Sequence, residues 1–128
     1  MKKNIPNISN AELEVMKIIW NENPITSEEI ICSLANKKRN PQTIKTYITR
    51  LVNKKAVSYS RLGRNYLYYP IITKSEYVKS ANKSFLKNLY DGAVDKLVYN
   101  FIDQEDLAVE DIDRLQKVLE QKKRNSGK

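Results

Sequence analysis

The sequence predicts a mainly α-helical chain with one small β hairpin, three helices before it and three after it. Three observations carry this. Apolar residues recur at helical spacing between Ala11 and Leu51, the pattern changes to β-branched and aromatic residues around a glycine turn between Ala56 and Ile71, and helical spacing then returns from Val78 onward.

Residues 1–8 read as an irregular arm. Ser9 or Asn10 can cap a first helix running through Asn21, with Glu12 near its positive end. Leu13, Val15, Met16, Ile18, Ile19 and Trp20 make that helix apolar over a wide arc, so it belongs deep in a core. Asn21-Glu22-Asn23-Pro24 ends it. Thr26 with Glu29 forms a capping box and Ile25 with Ile30 a hydrophobic staple, which together start a second helix. Its core face is Ile30, Ile31, Leu34 and Ala35, and Asn36-Lys37-Lys38-Arg39 close it.

The third helix spans residues 40–55. Asn40 can cap it, and Pro41 suits the first helical position, where no N–H is needed. Ile44, Tyr47, Ile48 and Leu51 form its buried stripe. The opposite side shows Gln42, Thr46, Thr49 and Asn53, flanked by Thr43, Lys45 and Arg50. No carboxylate lies between Glu29 and Glu76. A solvated helix normally mixes both signs of charge, so an acid-free face of amides, hydroxyls and cations suits contact with a polyanion. Gln42, Thr43, Lys45, Thr46, Thr49 and Arg50 are the candidate DNA contacts of this helix.

Ala56–Arg61 and Tyr66–Ile71 read as paired strands, with Leu62-Gly63-Arg64-Asn65 as their turn. Three helices followed by a hairpin is the order of a winged helix-turn-helix, and Arg61 and Arg64 at the wing tip are further candidate phosphate contacts. Tyr66, Tyr68 and Tyr69 are expected to pack the hairpin on the helices, because a lone hairpin is marginal in water.

Past Thr73, Ser75 can cap a helix reaching Tyr90 or Asp91, with Val78, Ala81, Phe85, Leu86 and Leu89 apolar. Asp91-Gly92 breaks it, and Val94, Leu97, Val98 and Phe101 stripe a short helix. A last helix from about Val109 to Lys122 turns Ile112, Leu115, Val118 and Leu119 inward, and residues 125–128 fray. The acids Asp103, Glu105, Asp106, Glu110, Asp111 and Asp113 lack the spacing of a calcium loop and suit a helix dipole instead.

The formal net charge is +8, and residues through Ile72 hold twelve cations against five acids, leaving +1 for the rest. The basic field thus belongs to the first part, which suits nucleic acid or another anionic surface, the alternative being a basic protein kept soluble by its charge. There is no histidine and one cysteine, Cys32, which removes the usual triads, the common zinc sites and any internal disulfide. Cys32 is expected to pack on an apolar helix face. No signal peptide or membrane span is visible, and a cytoplasmic location is expected. The expected division is a DNA-binding domain over 1–73 and a helical dimerisation domain over 74–128. About 55 residues of thin amphipathic helices are marginal alone, and a two-fold protein suits an inverted repeat. Phe85, Leu89, Leu97, Val98, Phe101, Ile112, Leu115 and Leu119 are the candidate dimer contacts. Two other classes remain open: a winged-helix module that docks a protein and reads no DNA, and a nuclease, for which no metal cluster or phosphate-cradling loop is visible.

Ile8-Ser9-Asn10-Ala11-Glu12, Glu14-Val15-Met16-Lys17-Ile18-Ile19-Trp20, Pro41 through Leu51, Tyr68-Tyr69, Leu97-Val98-Tyr99-Asn100-Phe101 and Glu105-Asp106-Leu107 together resemble the penicillinase-repressor (BlaI/MecI) family of bacterial transcriptional regulators. The resemblance spans nearly the whole chain. It implies a homodimer on palindromic operators with TACA/TGTA half-sites that represses resistance genes and its own operon, with Thr43, Lys45, Thr46 and Arg50 facing the major groove. It also implies induction by cleavage between Asn100 and Phe101, through a membrane sensor with a zinc-protease domain acting directly or indirectly, with no cofactor and no small-molecule effector. The family commonly has Arg where this chain has Lys45, and Lys lacks the planar fork that reads guanine. Relatives often have Gly where this chain has Lys55, a position that would cost about 1 kcal/mol if it requires positive φ. A copper-responsive branch carries C-terminal cysteines, and residues 121–128 have none.

Overall fold

In the computed structural model the chain forms α1 (Asn10–Asn21), α2 (Ser27–Ser33), α3 (Pro41–Asn53), β1 (Val57–Leu62), β2 (Asn65–Pro70), α4 (Lys74–Tyr90), α5 (Val94–Gln104) and α6 (Val109–Ser126). The structure describes residues 4–35, 39–104 and 106–127. The expected mainly α chain with one hairpin is thus the architecture observed, and its first part is a winged helix-turn-helix. The chain divides inside α4 into two compact units, Met1–Asn82 and Lys83–Lys128.

The first unit has one apolar core. Val15, Met16 and Ile19 of α1, Ile30 of α2, and Ile44, Ile48 and Leu51 of α3 are buried together with Ile8, Ile25, Ala56, Val57 and Ile72. Ile5 and Ile8 bring the N-terminal arm onto this core, because the wide apolar arc of α1 leaves a side that α2 and α3 do not cover. The expected Thr26–Glu29 capping box forms, and Ser9, one of the two cap candidates of α1, closes a second box with Glu12. Ser9 Oγ accepts from Glu12 N–H at 3.2 Å while Ser9 N–H donates to Glu12 at 3.0 Å, and Thr26 and Glu29 repeat the arrangement at 3.2 and 3.1 Å.

The strands pair antiparallel, Val57 with Pro70 through Leu62 with Asn65, so the turn is only Gly63-Arg64, with Gly63 at φ +63°. Two-residue hairpin turns need positive φ, which glycine takes without strain. The hairpin does not stand alone. Ile25 and Tyr68 exchange N–H···O=C bonds of 3.0 and 2.8 Å, so the linker before α2 adds one bridge to the free edge of β2.

Several details differ from expectation. α2 ends at Ser33, and Ala35 and Cys32 are exposed, because a seven-residue helix turns only Ile30 fully inward. The closing residues Asn36, Lys37 and Lys38 lie outside the described residues. α4 is capped by Thr73, not Ser75: Thr73 Oγ1 accepts from Glu76 N–H at 3.0 Å and Thr73 N–H donates to Glu76 at 2.8 Å. α6 continues to Ser126, four residues past the expected end, with Lys123 and Arg124 in its last turn complementing the dipole.

The second unit, by contrast, has no buried residue among those described. Leu89, Val94, Phe101, Val118 and Leu119 are each more than half exposed. Ile112, Leu115, Val118 and Leu119, expected inward, are open to solvent because three thin helices cannot cover one another's apolar faces. Asp91 and Gly92 both take positive φ and end α4. Asp111 accepts from Ala108 N–H at 3.2 Å and pairs with Arg114, which engages one member of the acidic run in capping α6. Glu105 lies outside the described residues, and among those described no three His, Cys, Asp or Glu converge as metal ligands.

Candidate nucleic-acid interface

The site is built on α3. Ile44, Ile48 and Leu51 are at most 2% exposed, which fixes the opposite face outward. Gln42, Lys45, Thr46, Thr49, Arg50 and Asn53 are exposed there, and Thr43 is half-buried at the edge. Asn40 Oδ1 accepts from Gln42 N–H at 2.8 Å, and Pro41 occupies the first turn. Thr46 and Thr49 donate their hydroxyls to the carbonyls of Gln42 and Lys45, both at 3.0 Å. Each hydroxyl is thereby committed as a donor, leaving its lone pairs and the threonine methyl available to a base edge. No acid interrupts this face.

The end of α3 explains Lys55. Ala56 N–H reaches back to Leu51 carbonyl at 3.0 Å and Lys55 N–H to Val52 at 3.0 Å, the paired bonds of a Schellman cap. That cap needs a left-handed residue, and Lys55 supplies it at φ +64°. Position 55 thus does require positive φ.

Among the described residues of the first unit, Arg39 and Lys54 are engaged internally. Arg39 donates to both carboxylate oxygens of Glu14, at 2.8 and 3.2 Å, which raises its already high pKa. Lys54 Nζ lies 2.5 Å from Glu12 and 2.9 Å from the Asn7 carbonyl. Burial alone would push the Glu12 carboxyl up. The Lys54 ammonium and the Ser9 backbone bond outweigh it and hold the group below its ordinary value. Spacing in sequence could not reveal these partners, which stand 25 and 42 residues apart.

On the wing, Tyr59, Arg61, Tyr66 and Tyr68 share one face of the hairpin. Tyr59 packs its ring 4.8 Å from Tyr66 and 5.9 Å from Tyr68, and the Arg61 guanidinium lies 5.7 Å from the Tyr66 ring centre. Only Tyr68 reaches the core, and burial raises its phenol pKa. Tyr66 and Tyr69 are exposed rather than packed on the helices, Tyr66 because it stands beside the turn and Tyr69 because it points to the face opposite Tyr68. Arg64 is exposed in the turn. The structure therefore brings Gln42, Lys45, Thr46, Thr49 and Arg50 onto one helix face, with Arg61 and Arg64 on the hairpin.

The penicillinase repressor family model matches residues 8–121. The chain belongs to the penicillinase repressor family. It is a family of DNA-binding transcriptional repressors, not of enzymes. The penicillinase repressor of Bacillus licheniformis is 39% identical over 122 residues, covering 94% of this chain and 95% of that protein. The methicillin resistance regulatory protein MecI of Staphylococcus aureus is 34% identical over 116 residues, 90% of this chain and 94% of its own. Among solved structures, the monomeric Bacillus licheniformis BlaI bound to the blaP half-operator superposes with a TM-score of 0.52 at 43% identity, covering 59% of this chain and 94% of that one.

The remaining candidates lie in the second unit. Asn100 and Phe101 sit inside α5, Phe101 exposed and Asn100 donating from Nδ2 to the Tyr90 hydroxyl at 3.3 Å. Phe85, Leu89, Val98, Ile112, Leu115 and Leu119 are exposed, and Leu97 is half-buried. No helix among the described residues is long and apolar enough to cross a membrane.

Proposed function

We propose that this chain is a homodimeric repressor that reads a palindromic operator with TACA/TGTA-type half-sites through α3. The observation that carries this is the acid-free face of α3, with Gln42, Thr43, Lys45, Thr46, Thr49 and Arg50 opposite a fully buried stripe. Backbone phosphates hold such a face in register, and base edges then accept donors such as the Arg50 guanidinium and the Lys45 ammonium. Arg61 and Arg64 on the wing add phosphate contacts outside the major groove.

Homodimerisation is supported by the apolar faces of α4, α5 and α6 that one chain leaves open, Phe85, Leu89, Val98, Ile112, Leu115 and Leu119 among them. Two joined winged helices multiply weak half-site affinities into operator affinity. The regulated genes are of the β-lactam-resistance class, and the protein acts in the cytoplasm. Induction is cleavage of the Asn100–Phe101 bond through a membrane sensor zinc protease acting directly or indirectly. That bond lies within α5, so cutting it requires local unwinding first.

The test is fluorescence anisotropy of labelled blaP half-operator against a scrambled duplex of equal length. Arg50→Ala is expected to weaken half-operator binding by about 1–3 kcal/mol while the scrambled duplex is little affected. Equal binding of the two duplexes by the natural chain would reject sequence reading and favour a protein-docking winged helix.

A further inference from the structure

The two ion pairs described above have a geometry beyond simple stabilisation. Arg39 stands immediately before the Asn40 cap of α3, and Lys54 is its C-terminal capping residue. Both partners, Glu14 and Glu12, lie on α1. At about 1.5 Å per residue, the thirteen residues of α3 span roughly 20 Å. One cation at each end of that length is therefore tied to a single neighbouring helix.

The apolar contacts between α1 and α3 hold the helices together without specifying direction, since burial is non-directional. Ile44, Ile48 and Leu51 hold α3 on α1 by close packing. The two pairs add directional restraints against sliding and rolling at its ends. Arg39 meets Glu14 as a planar fork on both oxygens, at 2.8 and 3.2 Å, which fixes orientation as well as distance. Lys54 Nζ is held by Glu12 at 2.5 Å and by the Asn7 carbonyl at 2.9 Å, and Glu12 is itself fixed by Ser9 N–H at 3.0 Å. Sliding α3 along its axis stretches one tie as it relaxes the other. Base-edge hydrogen bonds tolerate only a few tenths of an ångström, so a displaced α3 would lose base contacts while its charge still met phosphates.

We propose that Glu14 and Arg39, together with Glu12 and Lys54, brace the two ends of α3 on α1 and act as positioning residues for base reading. This rests on α3 being the base-reading helix. Arg39, although part of the basic field, serves the brace and not the phosphate backbone.

The test uses Glu14→Gln and Arg39→Lys in the full chain, titrated against the blaP half-operator duplex and a scrambled duplex, at two salt concentrations and below each variant's melting temperature. Glu14→Gln removes the acceptor charge, while Arg39→Lys keeps the cation and loses the fork. Both are expected to weaken half-operator binding about tenfold, the scale of one lost base contact, with scrambled-duplex binding unchanged. Half-operator preference retained by both variants overturns the brace and leaves base reading by α3 standing. Tighter binding of both duplexes by Glu14→Gln with a steeper salt dependence, and unchanged binding by Arg39→Lys, overturns it in favour of Arg39 as a phosphate anchor. A natural chain that does not prefer the half-operator overturns base reading itself, and the brace falls with it.

Discussion

Lys55 shows how a single residue can oppose its own backbone. Its φ of +64° is imposed by the Schellman bonds from Lys55 and Ala56 to Val52 and Leu51. A non-glycine residue there loses roughly 1–2 kcal/mol, whereas glycine would lose about 0.5–1 kcal/mol in unfolded-state entropy. The first effect is larger, so Lys55→Gly is expected to stabilise the first unit by about 0.5–1 kcal/mol in urea unfolding. Unchanged or lowered stability would show that the Lys55 side chain contributes more than the strain removes. Glu12 is the other informative residue. Its pKa is lowered in the folded state, so its contribution is complete above the ordinary carboxylate pKa and is lost as pH falls through the folded value. Stability should therefore drop on acidification below about pH 4 more steeply in the natural chain than in Glu12→Gln. The same variant should be less stable by about 2 kcal/mol near neutrality, since it breaks a buried charge-assisted bond. Parallel pH profiles would count against the pair.

At the scale of elements, local signals and long-range contacts divide the work. The Thr26–Glu29 capping box is visible as spacing and forms as expected, and the same spacing in Ser9–Glu12 selects Ser9 over Asn10 as the cap of α1. Thr73–Glu76 has the same spacing, yet the nearer serine, Ser75, was the expected cap; the discriminating feature is the glutamate three residues on, which Ser75 lacks. Thr26→Ala should cost about 1 kcal/mol in thermal or urea unfolding, because α2 has only seven residues over which to recover its start. A loss under a few tenths would mean that the Ile25–Tyr68 bridge alone holds that segment. Cys32 illustrates the limit of periodicity on so short a helix: its spacing suggested an inward face, and the structure exposes it.

For the whole molecule, the contrast is between a unit with a closed core and a unit without one. The first buries Met16, Ile19, Ile30, Ile44 and Leu51 completely, while in α4, α5 and α6 no residue is buried. An aspartate at Leu89 or Leu119, each more than 60% exposed in one chain, is expected to weaken self-association by at least about 2 kcal/mol if those faces meet in a dimer. Sedimentation velocity across concentrations reads this directly. The variant should keep half-operator affinity and lose affinity for a full palindrome; a natural chain monomeric at all concentrations would reject the dimer.

The sequence by itself determined the element order, the starts of α2 and α3 and the acid-free face of α3, because these depend on residues three or four positions apart. It also located the basic field, since charge simply adds along the chain. The fold of the first unit and the family were legible for the same reason. Tertiary structure alone decided which cations remain available to a ligand. Arg39 and Lys54 look like Lys45 and Arg50 in a linear reading, and only packing α1 against α3 brings Glu14 and Glu12 to them. It also decided that Tyr68 faces the core while Tyr66 and Tyr69 do not, because burial is set by which neighbours arrive from distant parts of the chain.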